Sequence, residues 1–398
     1  MTSDVDILYV ANARIPGLRA HSIQIMRSCD ALHRAGAKVE LWIPTRMGLD
    51  PGPPSREGLL GFYGVDAAYT IHRLRSVDLI DFLSTRRQRA AFLLQSITFA
   101  ASVRRRLAQG LCELSGRPWI YVRDPHTLAF LALGLPDLGL PDLRSRLVFE
   151  AHSVPGRRRS RRRLAKILAD VSKVLVLNSE LADSYRELGV STDALAVIPA
   201  DAPSSEPLPD RERARTDLGL GAGDRAVMYT GSLGVSKGVD SQLAAARRLG
   251  PEWSWILVGG APAAVDDLRR KVGRDSAVRI EGAVPPAEVD KYLAAADILV
   301  ATGTAREPAS ALWTSPMKLF EYDRARRPIV LSDLPAFRAA ARELPTQDHL
   351  FWCAADDPDD LVRAVRRAWD HRDRIEARPP AEDGRLARAV QILEHLKT

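Results

Sequence analysis

Residues 5–10 read Val5-Asp6-Ile7-Leu8-Tyr9-Val10, a short apolar run that is typical of a buried β-strand. Residues 21–35 then place apolar side chains at three- and four-residue intervals, which predicts a helix, and Gly36 is suited to end it. A second apolar run at residues 38–43 predicts the next strand. A strand, a helix and a strand at this spacing form a βαβ unit, so we expect a parallel sheet with helices on its faces.

The same alternation continues along the chain and starts again after a break. Three prolines, Pro203, Pro207 and Pro209, mark a linker at residues 201–211. Because 398 residues exceed what one core usually covers, we predict domains at 1–203 and 204–380 and a terminal segment at 381–398. Further strands are predicted at 119–122, 147–150, 173–177, 226–230, 255–258, 278–280, 297–300 and 328–331, helices at 86–109, 240–249, 287–296, 316–326, 359–372 and 384–396, and a loop at 50–64.

The composition is that of an ordinary globular chain, 46% hydrophobic and 27% charged, which excludes a disordered or collagen-like protein. Three widely separated cysteines (Cys29, Cys112 and Cys353) predict neither a disulfide framework nor a zinc site and fit a reducing cytoplasm. No apolar run approaches the roughly 20 residues that would span a bilayer, and the acidic start disfavours a signal peptide. We therefore expect a cytoplasmic protein.

The net charge of +7 is concentrated in the first half of the chain. Residues 1–200 contain 28 Lys and Arg against 19 Asp and Glu, whereas the remainder contains 29 against 31. Much of the excess is the block Arg157–Arg163, in which six arginines surround one serine. Such a block is usually a solvated surface, or else it attracts phosphates of lipid headgroups, of a lipid-linked acceptor or of nucleic acid. Apolar residues at helical spacing follow it, so this helix either lies on a membrane interface or packs on the sheet.

Residues 315–322, Ser-Pro-Met-Lys-Leu-Phe-Glu-Tyr, are the most informative for a binding site. Ser315 is suited to cap a helix and Pro316 to occupy its first position. The free amides of such a helix start attract an anion, and Lys318 adds a cation that is unfavourable for the helix alone. A bound phosphate would explain this cation, and Glu321 on the same face could accept bonds from sugar or ribose hydroxyls. The alternative is a well-capped surface helix with an ion pair.

Other loops that follow predicted strands carry glycine or polar residues. Residues 231–238, Gly-Ser-Leu-Gly-Val-Ser-Lys-Gly, could cradle a phosphate, although they form neither a P-loop nor a dinucleotide fingerprint. In the first loop, Gly17 permits close approach of a ligand and His21 could help to hold one. Arg123 and His152 each follow a strand, and this imidazole could bind a ligand or carry a proton. Ordinary turns and structural histidines are the alternatives, and the GxSxG and HExxH motifs of esterases and metalloproteases are absent from the sequence.

Taken in order along the chain, these motifs resemble a family 4 glycosyltransferase with the two-domain GT-B fold. The resemblance implies two Rossmann-like doubly wound α/β domains that face a central cleft, the first binding the acceptor and the second a nucleotide-diphosphate sugar. The terminal segment would then pack back on the first domain. The motifs that carry the resemblance are residues 229–232, 237–240, 258–260, 281–284, 296–298, 315–322, 327–330 and 332–333 in the second half, and 20–24 and 150–152 in the first.

The resemblance also implies roles for single residues and transfer with retention of anomeric configuration, without a metal ion or other cofactor. Lys237 would contact the donor diphosphate and the amides of Met317 and Lys318 would cap it. Glu321 would bind the ribose, Val284 would lie beside the base, and His152 beside the transferred sugar. We expect catalysis from His152, Lys237 and Glu321, donor binding from Gly231, Ser232, Lys237, Val284, Ser315, Pro316, Met317, Lys318 and Glu321, and acceptor binding from Gly17, His21, Arg123 and His152.

Two positions depart from the family pattern. The family carries two glutamates eight positions apart, and the first of them is Trp313 here, which cannot bind a sugar as a carboxylate would. An arginine that often follows the first glycine of the second domain is Ser232, so one phosphate-binding cation is missing, and Arg306 is a candidate substitute.

These departures leave alternatives open. A nucleotide-sugar epimerase of the same fold would consume the donor without an acceptor, and a degenerate binding protein is the non-enzyme reading. The acceptor stays open between a glycan, a lipid-linked molecule and a small molecule. The arginine block permits peripheral binding to an anionic membrane surface, on the inner face of the membrane. A nucleic-acid partner is disfavoured, since the second half of the chain offers it no excess positive charge.

Overall fold

The computed structural model describes residues 5–45, 55–65, 69–83, 87–114, 117–134, 143, 145–199, 207–273, 277–307, 310–311, 317–375 and 383–398. The chain folds into two units. Unit 1 comprises Met1–Ala200 together with Arg385–Thr398, and unit 2 comprises Asp201–Gly384.

Unit 1 is built on a parallel sheet. Its strands are β1 (Asp6–Val10), β2 (Lys38–Pro44), β3 (Thr70–Leu74), β4 (Trp119–Val122), β5 (Leu147–Ala151), β6 (Lys173–Val176) and β7 (Leu195–Val197). They lie in the order β3-β2-β1-β4-β5-β6-β7. The helices are α1 (Ala20–Arg34), α2 (Arg56–Tyr63), α3 (Gln88–Ala108), α4 (Pro125–Gly134), α5 (Arg158–Leu168), α6 (Ser179–Glu187) and, from the end of the chain, α14 (Gly384–Lys397).

Helices cover both faces of this sheet, which explains why its central strands are apolar without alternation. On one face α1, α2 and α14 contribute Ile25, Leu59 and Ile392 to the core. On the other face α3, α4, α5 and α6 contribute side chains such as Phe99 and Leu164. The terminal helix α14 is thus part of the unit 1 core.

Unit 2 repeats the arrangement with six parallel strands. These are β8 (Arg225–Thr230), β9 (Trp253–Val258), β10 (Val278–Gly282), β11 (Ile298–Ala301), β12 (Ile329–Ser332) and β13 (Leu350–Cys353), in the order β10-β9-β8-β11-β12-β13. The helices are α7 (Arg211–Asp217), α8 (Val239–Leu249), α9 (Pro262–Val272), α10 (Val289–Ala295), α11 (Met317–Arg324), α12 (Pro335–Arg342) and α13 (Pro358–His371). Two parallel sheets with helices on both faces confirm the predicted doubly wound α/β class.

In both sheets the strand order reverses beside the first strand. β1 pairs with β2 on one side and with β4 on the other, and β8 pairs likewise with β9 and β11. At such a switch point the connections after neighbouring strands diverge, which leaves a crevice at their carboxyl ends. The residues that follow β1, β4 and β5 in unit 1, and β8 and β11 in unit 2, are therefore placed where a ligand is expected.

The loop predicted at 50–64 is wrong over residues 56–63, which form α2. The Ser55 side chain accepts a hydrogen bond from the Gly58 amide at 2.9 Å, and Gly64 ends the helix with a φ of 63°. Glycines and prolines masked a helix whose inner face buries Leu59 and Tyr63. The linker predicted at 201–211 ends earlier than expected, because Asp210 caps the helix α7 that begins at Arg211. Residues 46–54 and 201–206 lie outside the described part of the chain.

Among the helices described, none combines the length and the apolar character needed to cross a membrane.

Candidate functional site

In unit 2 the carboxyl ends of β8 and β9 approach each other through glycines. Gly259 has a φ of 117°, and a Cβ atom on it would lie 2.2 Å from the carbonyl oxygen of Gly231. Gly231 has a φ of 132°, and a Cβ atom there would lie 3.1 Å from Nζ of Lys318. Only glycine tolerates these dihedral angles together with so close an approach. The two glycines therefore allow the backbone after β8 to pass close to that of β9 and to the Lys318 ammonium.

Two tyrosines fix the position of this ammonium. Nζ of Lys318 lies 3.7 Å from the centroid of the Tyr229 ring, and the Tyr229 hydroxyl donates to the carbonyl oxygen of Ser232 at 2.8 Å. The backbone amide of Thr230 donates to the Tyr322 hydroxyl at 2.8 Å, which ties α11 to the end of β8. The first turn of α11 is thus held against the carboxyl end of β8, at the switch point.

The loop that carries Lys237 is anchored by residues that follow β11. Oγ1 of Thr302 donates to the carbonyl oxygen of Lys237 at 2.6 Å, and Oγ of Ser310 donates to that of Ser236 at 2.7 Å. Thr302 in turn accepts from Nε2 of Gln242 at 2.7 Å. These hydrogen bonds fix the backbone at Lys237 through neutral hydroxyl and amide groups. The Lys237 ammonium takes no part in them.

Lys318 and Lys237 concentrate positive charge in this part of unit 2. Part of the Lys318 side chain is exposed, but its Nζ is buried and has no hydrogen-bond partner among the described residues. Burial, followed by the charge of Lys237, lowers the pKa of Lys318 well below its usual value, whereas Glu321 acts in the opposite direction. Burial also lowers the pKa of Lys237, and Glu307 opposes this shift. An anion that accepts hydrogen bonds from Lys318 would compensate both the lost hydration and the repulsion.

The other residues predicted to bind the donor are distributed as follows. Glu321 lies one turn along α11 from Lys318, near enough for its charge to act on the ammonium. The Ser232 side chain is exposed, and Val284 follows β10 and packs against the core of unit 2. Arg306, the candidate substitute cation, is exposed in the loop after β11.

The start of α11 is described only from Met317 onwards. Ser315 and Pro316, predicted to cap this helix, and Trp313, the departure from the family pattern, lie outside the described residues. Capping by Ser315 and anion binding by the free amides therefore stay predictions. The structure supports them only in that α11 begins at Met317.

Unit 1 brings Arg123 and His152 together around a buried carboxylate, that of Glu150. Oε1 of Glu150 lies 3.3 Å from Nε of Arg123 and 2.7 Å from Nε2 of His152. Nε2 of His152 also lies 3.0 Å from Nε of Arg123. One ring nitrogen cannot donate to the carboxylate and accept from the guanidinium at the same time. His152 therefore has two competing partners, and its tautomer decides between them.

The second oxygen of Glu150 is bound by residues that the sequence analysis did not select. Oε2 accepts from Nη2 of Arg388 at 3.0 Å and also from the Tyr121 hydroxyl. Arg388 lies on α14 and donates through Nε to the carbonyl oxygen of Pro199 at 2.6 Å. A buried carboxylate in an otherwise apolar strand was a usable signal for Glu150, but no local pattern indicates a partner 238 residues away in the sequence.

The charges of this cluster are strongly coupled. Burial raises the pKa of Glu150, but Arg123 and Arg388 outweigh this and hold the pKa well below its usual value. Burial and the neighbouring Arg123 lower the pKa of His152, while Glu150 opposes them. The geometry therefore combines an ionised carboxylate with a neutral imidazole, and two guanidinium groups with one carboxylate.

The two residues predicted from the first loop differ in their surroundings. His21, at the start of α1, keeps part of its side chain exposed, and desolvation of its ring together with the nearby Arg123 and His152 lowers its pKa to about 3. The charge of Arg123 therefore reaches His21, which follows β1 at the same edge of the sheet. At Gly17 the close approach is to the chain itself, because a Cβ atom would lie 2.4 Å from the carbonyl oxygen of Arg14. The Gly17 amide donates to the Tyr63 hydroxyl at 2.6 Å, which fixes this loop to α2.

Within the described residues, no group of three or more His, Cys, Asp or Glu side chains is arranged to hold a metal ion.

Comparison with known proteins gives a family and a set of similar folds. Residues 224–371 match the family described as group 1 glycosyl transferases. No curated protein matches the chain significantly by sequence. Similar solved structures are HepE from Anabaena in complex with UDP and glucose (17% identity over 98% of both chains, TM-score 0.65), sucrose-phosphate synthase from Thermosynechococcus elongatus (17% identity, 99% of this chain and 98% of that chain, TM-score 0.68), and WaaG, a glycosyltransferase involved in lipopolysaccharide biosynthesis (17% identity, 98% of this chain and 95% of that chain, TM-score 0.58).

The similarity to these structures extends over nearly the whole chain and confirms the predicted two-domain architecture. The family match covers residues 224–371, most of unit 2, and over that part of the chain it confirms the resemblance to glycosyltransferases and the expectation of an enzyme that transfers sugars.

Proposed function

We propose that this chain, a group 1 glycosyltransferase with the GT-B fold, transfers a sugar from a nucleotide-diphosphate sugar to a glycan, lipid-linked or small-molecule acceptor with retention of configuration. The observation that carries the proposal is the Lys318 ammonium. A buried cation whose Nζ has no hydrogen-bond acceptor among the described residues, beside a second lysine and at a switch point, is costly unless an anion binds there. A donor diphosphate has the charge and the acceptor oxygens to compensate it.

The proposed donor site lies in unit 2. Lys318 and Lys237 would bind the diphosphate and stabilise the charge that develops on it as the sugar leaves. Glu321 would accept hydrogen bonds from the ribose, and Val284 would contact the base. Similar structures contain UDP or UDP-glucose, as in the HepE complexes from Anabaena, which supports a nucleotide of this kind.

The proposed acceptor site lies in unit 1, around Arg123, His152 and His21. A neutral His152, held by Glu150, could accept or donate a hydrogen bond to a sugar hydroxyl without adding charge. The proposed route is front-face attack in which the leaving phosphate takes the acceptor proton, with catalysis by positioning and charge stabilisation. No metal ion or other cofactor is needed for this route.

Calorimetry with a panel of UDP-, GDP- and ADP-sugars tests the donor assignment. We expect one nucleotide to bind the wild-type chain, and Lys318→Ala to weaken the nucleotide sugar and the free nucleoside diphosphate alike. Lys271→Ala is the matched control, because Lys271 is an exposed lysine of unit 2 that pairs with Asp240. Binding by no member of the panel would contradict the proposal. Release of free nucleotide that does not depend on any acceptor would favour the epimerase.

We also propose that one face of unit 1 binds an anionic membrane surface, on the cytoplasmic side. Helices α3, α4 and α5 pack side by side and none of them contains an acidic residue. On α5, Arg158, Arg159, Arg162 and Arg163 are exposed, while Leu164 and Leu168 pack on the sheet. The arginine block and exposed apolar side chains together favour a lipid surface over a purely solvated face. Exposed apolar residues of these helices are Leu93, Leu94 and Ile97 on α3 and Leu133 on α4.

Flotation with vesicles of anionic or neutral lipid tests this surface. We expect binding to anionic vesicles that falls with salt, and a quadruple exchange of the four α5 arginines for glutamine should weaken it by on the order of 10³-fold, at about 1 kcal/mol per arginine. An equal exchange of Arg247, Arg248, Arg363 and Arg366, exposed in unit 2, is the control. If both variants lost vesicle binding equally, or if the wild-type chain did not bind vesicles, the arginine block would be an ordinary solvated surface.

A further inference from the structure

The Arg123 guanidinium of unit 1 is incompletely bonded in a place where incomplete bonding is costly. Its side chain is 2% exposed, and its Nε and Nη2 face Glu150, His152 and Gln24. Nη1 is buried as well, and no hydrogen-bond acceptor reaches it from any residue described. A buried N–H of a charged group without an acceptor costs several kcal/mol relative to water, so this nitrogen indicates a missing partner.

The charge balance gives the sign of that partner. Glu150 is the carboxylate that faces Arg123, and it is shared with Arg388 and hydrogen-bonded to Tyr121. Two guanidinium groups and one carboxylate leave an excess of one positive charge in a dry environment. The nearby imidazoles of His152 and His21 cannot supply a negative charge, because a histidine side chain is either neutral or cationic. The partner that would complete this cluster is an anion.

The cluster is accessible from one side. Glu150 is fully buried and Arg123 nearly so, but the His152 side chain is 31% exposed and His21 is exposed. The exposed histidines therefore mark the side from which an anion would approach the buried Arg123. Glu150 lies near the carboxyl end of β5, and the other three residues follow β1, β4 or β5 at the same edge of the sheet, where a ligand of a doubly wound sheet binds.

We propose that unit 1 binds a phosphate or carboxylate carried by the sugar acceptor, with Arg123 as the main ligand and His152 and His21 at its rim. The assignment of this anion to the acceptor rests on the proposed function, whereas the binding of an anion does not. An acceptor that bears such a group would be oriented by it, because a guanidinium binds a planar or tetrahedral oxyanion through two directed N–H groups. His152 would then be free to keep Glu150 as its partner, since the anion takes over from the ring as the acceptor for Arg123.

The ring nitrogens of His152 and His21 offer a direct readout of this site. The full chain is labelled with ¹⁵N-histidine, carries Lys318→Ala to weaken the diphosphate site of unit 2, and is titrated with inorganic phosphate or succinate. Sodium chloride at matched ionic strength is the control for screening. We expect both rings to respond along one binding curve to phosphate, to succinate or to both, and the response identifies the anionic class. Chloride should move neither ring.

Variants at Arg123 separate a ligand from a structural residue. Arg123→Lys keeps the positive charge but loses the planar guanidinium that binds an oxyanion through two N–H groups, so the affinity for the anion should fall at least about tenfold. The control Arg105→Lys, at an exposed arginine of α3, should leave this affinity unchanged. Rings that do not respond in the Lys318→Ala chain with Arg123 intact, or that respond equally after Arg123→Lys, would overturn the proposal. So would UDP that moves the same rings and competes with phosphate in the chain with Lys318 intact, because the anion would then belong to the donor. If no nucleotide sugar bound but phosphate did, the proposed function would fail and the anion site would stand.

Discussion

The substitution Lys318→Met is expected to stabilise the protein without ligand and to weaken its binding of a nucleoside diphosphate. The two side chains are similar in length, but methionine has no charge to hydrate. An uncompensated buried charge costs about 3–5 kcal/mol. The cation–π contact of the ammonium with the Tyr229 ring offsets about 2 kcal/mol of this cost at a desolvated site. The net relief is therefore about 1–3 kcal/mol, or roughly 2–4 °C in Tm for each kcal/mol in a unit of this size.

The same substitution removes charge-assisted hydrogen bonds to the bound diphosphate. Such bonds contribute about 1.5–3 kcal/mol, so the Kd should rise about ten- to 150-fold. A wild-type protein at a ligand concentration of 100 times Kd gains about 2.7 kcal/mol of stability, and the variant should lose most of this gain.

Thermal unfolding with and without UDP, GDP or ADP measures both effects in one experiment. Lys271→Met is the control, since Lys271 is exposed and pairs with Asp240, and it should change neither quantity by much. The reasoning is refuted if Lys318→Met lowers the Tm of the protein without ligand and leaves the shift caused by the nucleotide intact. Lys318 would then be a structural residue of α11.

Three further predictions concern pH, backbone and the buried carboxylate. The pKa of Lys318 is lowered from 10.5, so over the pH range just below 10.5 the unfolded chain holds a proton that the folded chain releases. The free energy of unfolding, measured by urea unfolding across pH, should therefore rise with pH in this range, and the rise should be absent from Lys318→Met. Gly259→Ala should lower the free energy of unfolding by at least about 3 kcal/mol, because its Cβ would lie 2.2 Å from the Gly231 carbonyl oxygen. The control Gly219→Ala, at a φ of 66° with no neighbour within 4 Å, should lower it by only about 1–2 kcal/mol in the same assay. Arg388→Gln removes one of the two guanidinium partners of Glu150 and should lower the free energy of unfolding by about 3 kcal/mol or more. If it lowered this free energy no more than Lys397→Gln, an exchange at an exposed position of the same helix, the ion pair of Arg388 with Glu150 would not stabilise the fold.

Hydrophobic periodicity was sufficient for the long elements of the fold. The helix predicted at 21–35 is α1, Ala20–Arg34, and that predicted at 384–396 is α14, Gly384–Lys397. Both helices bury a single apolar stripe, which is the pattern that periodicity detects. The apolar runs at 5–10 and 38–43 were equally informative, since β1 and β2 are buried on both faces.

Elements without such a pattern were missed. The helix α4, Pro125–Gly134, contains no charged residue and has apolar side chains on all sides, so its sequence shows no polar face. The strand β3, Thr70–Leu74, is only partly buried and includes His72 and Arg73. It is an edge strand, and its position follows from pairing with β2 rather than from its own composition.

The candidate site was predictable where local chemistry defines it and not where the fold assembles it. A lysine at a helix start pointed to Lys318, and its buried Nζ gives that expectation a physical basis. The cluster of Arg123, Glu150, His152 and Arg388 depends on three strands or helices that only the tertiary structure brings together. Sequence patterns found two members of this cluster, but not the carboxylate that organises it.

The most direct test of the central claim is a crystal structure of the chain with its nucleotide-diphosphate sugar. We predict that a diphosphate oxygen lies within hydrogen-bond distance of Nζ of Lys318, with Lys237 on the same diphosphate and the ribose beside Glu321. A nucleotide bound elsewhere in unit 2, with Nζ of Lys318 still buried against Tyr229 and bonded to no phosphate oxygen, would contradict the account.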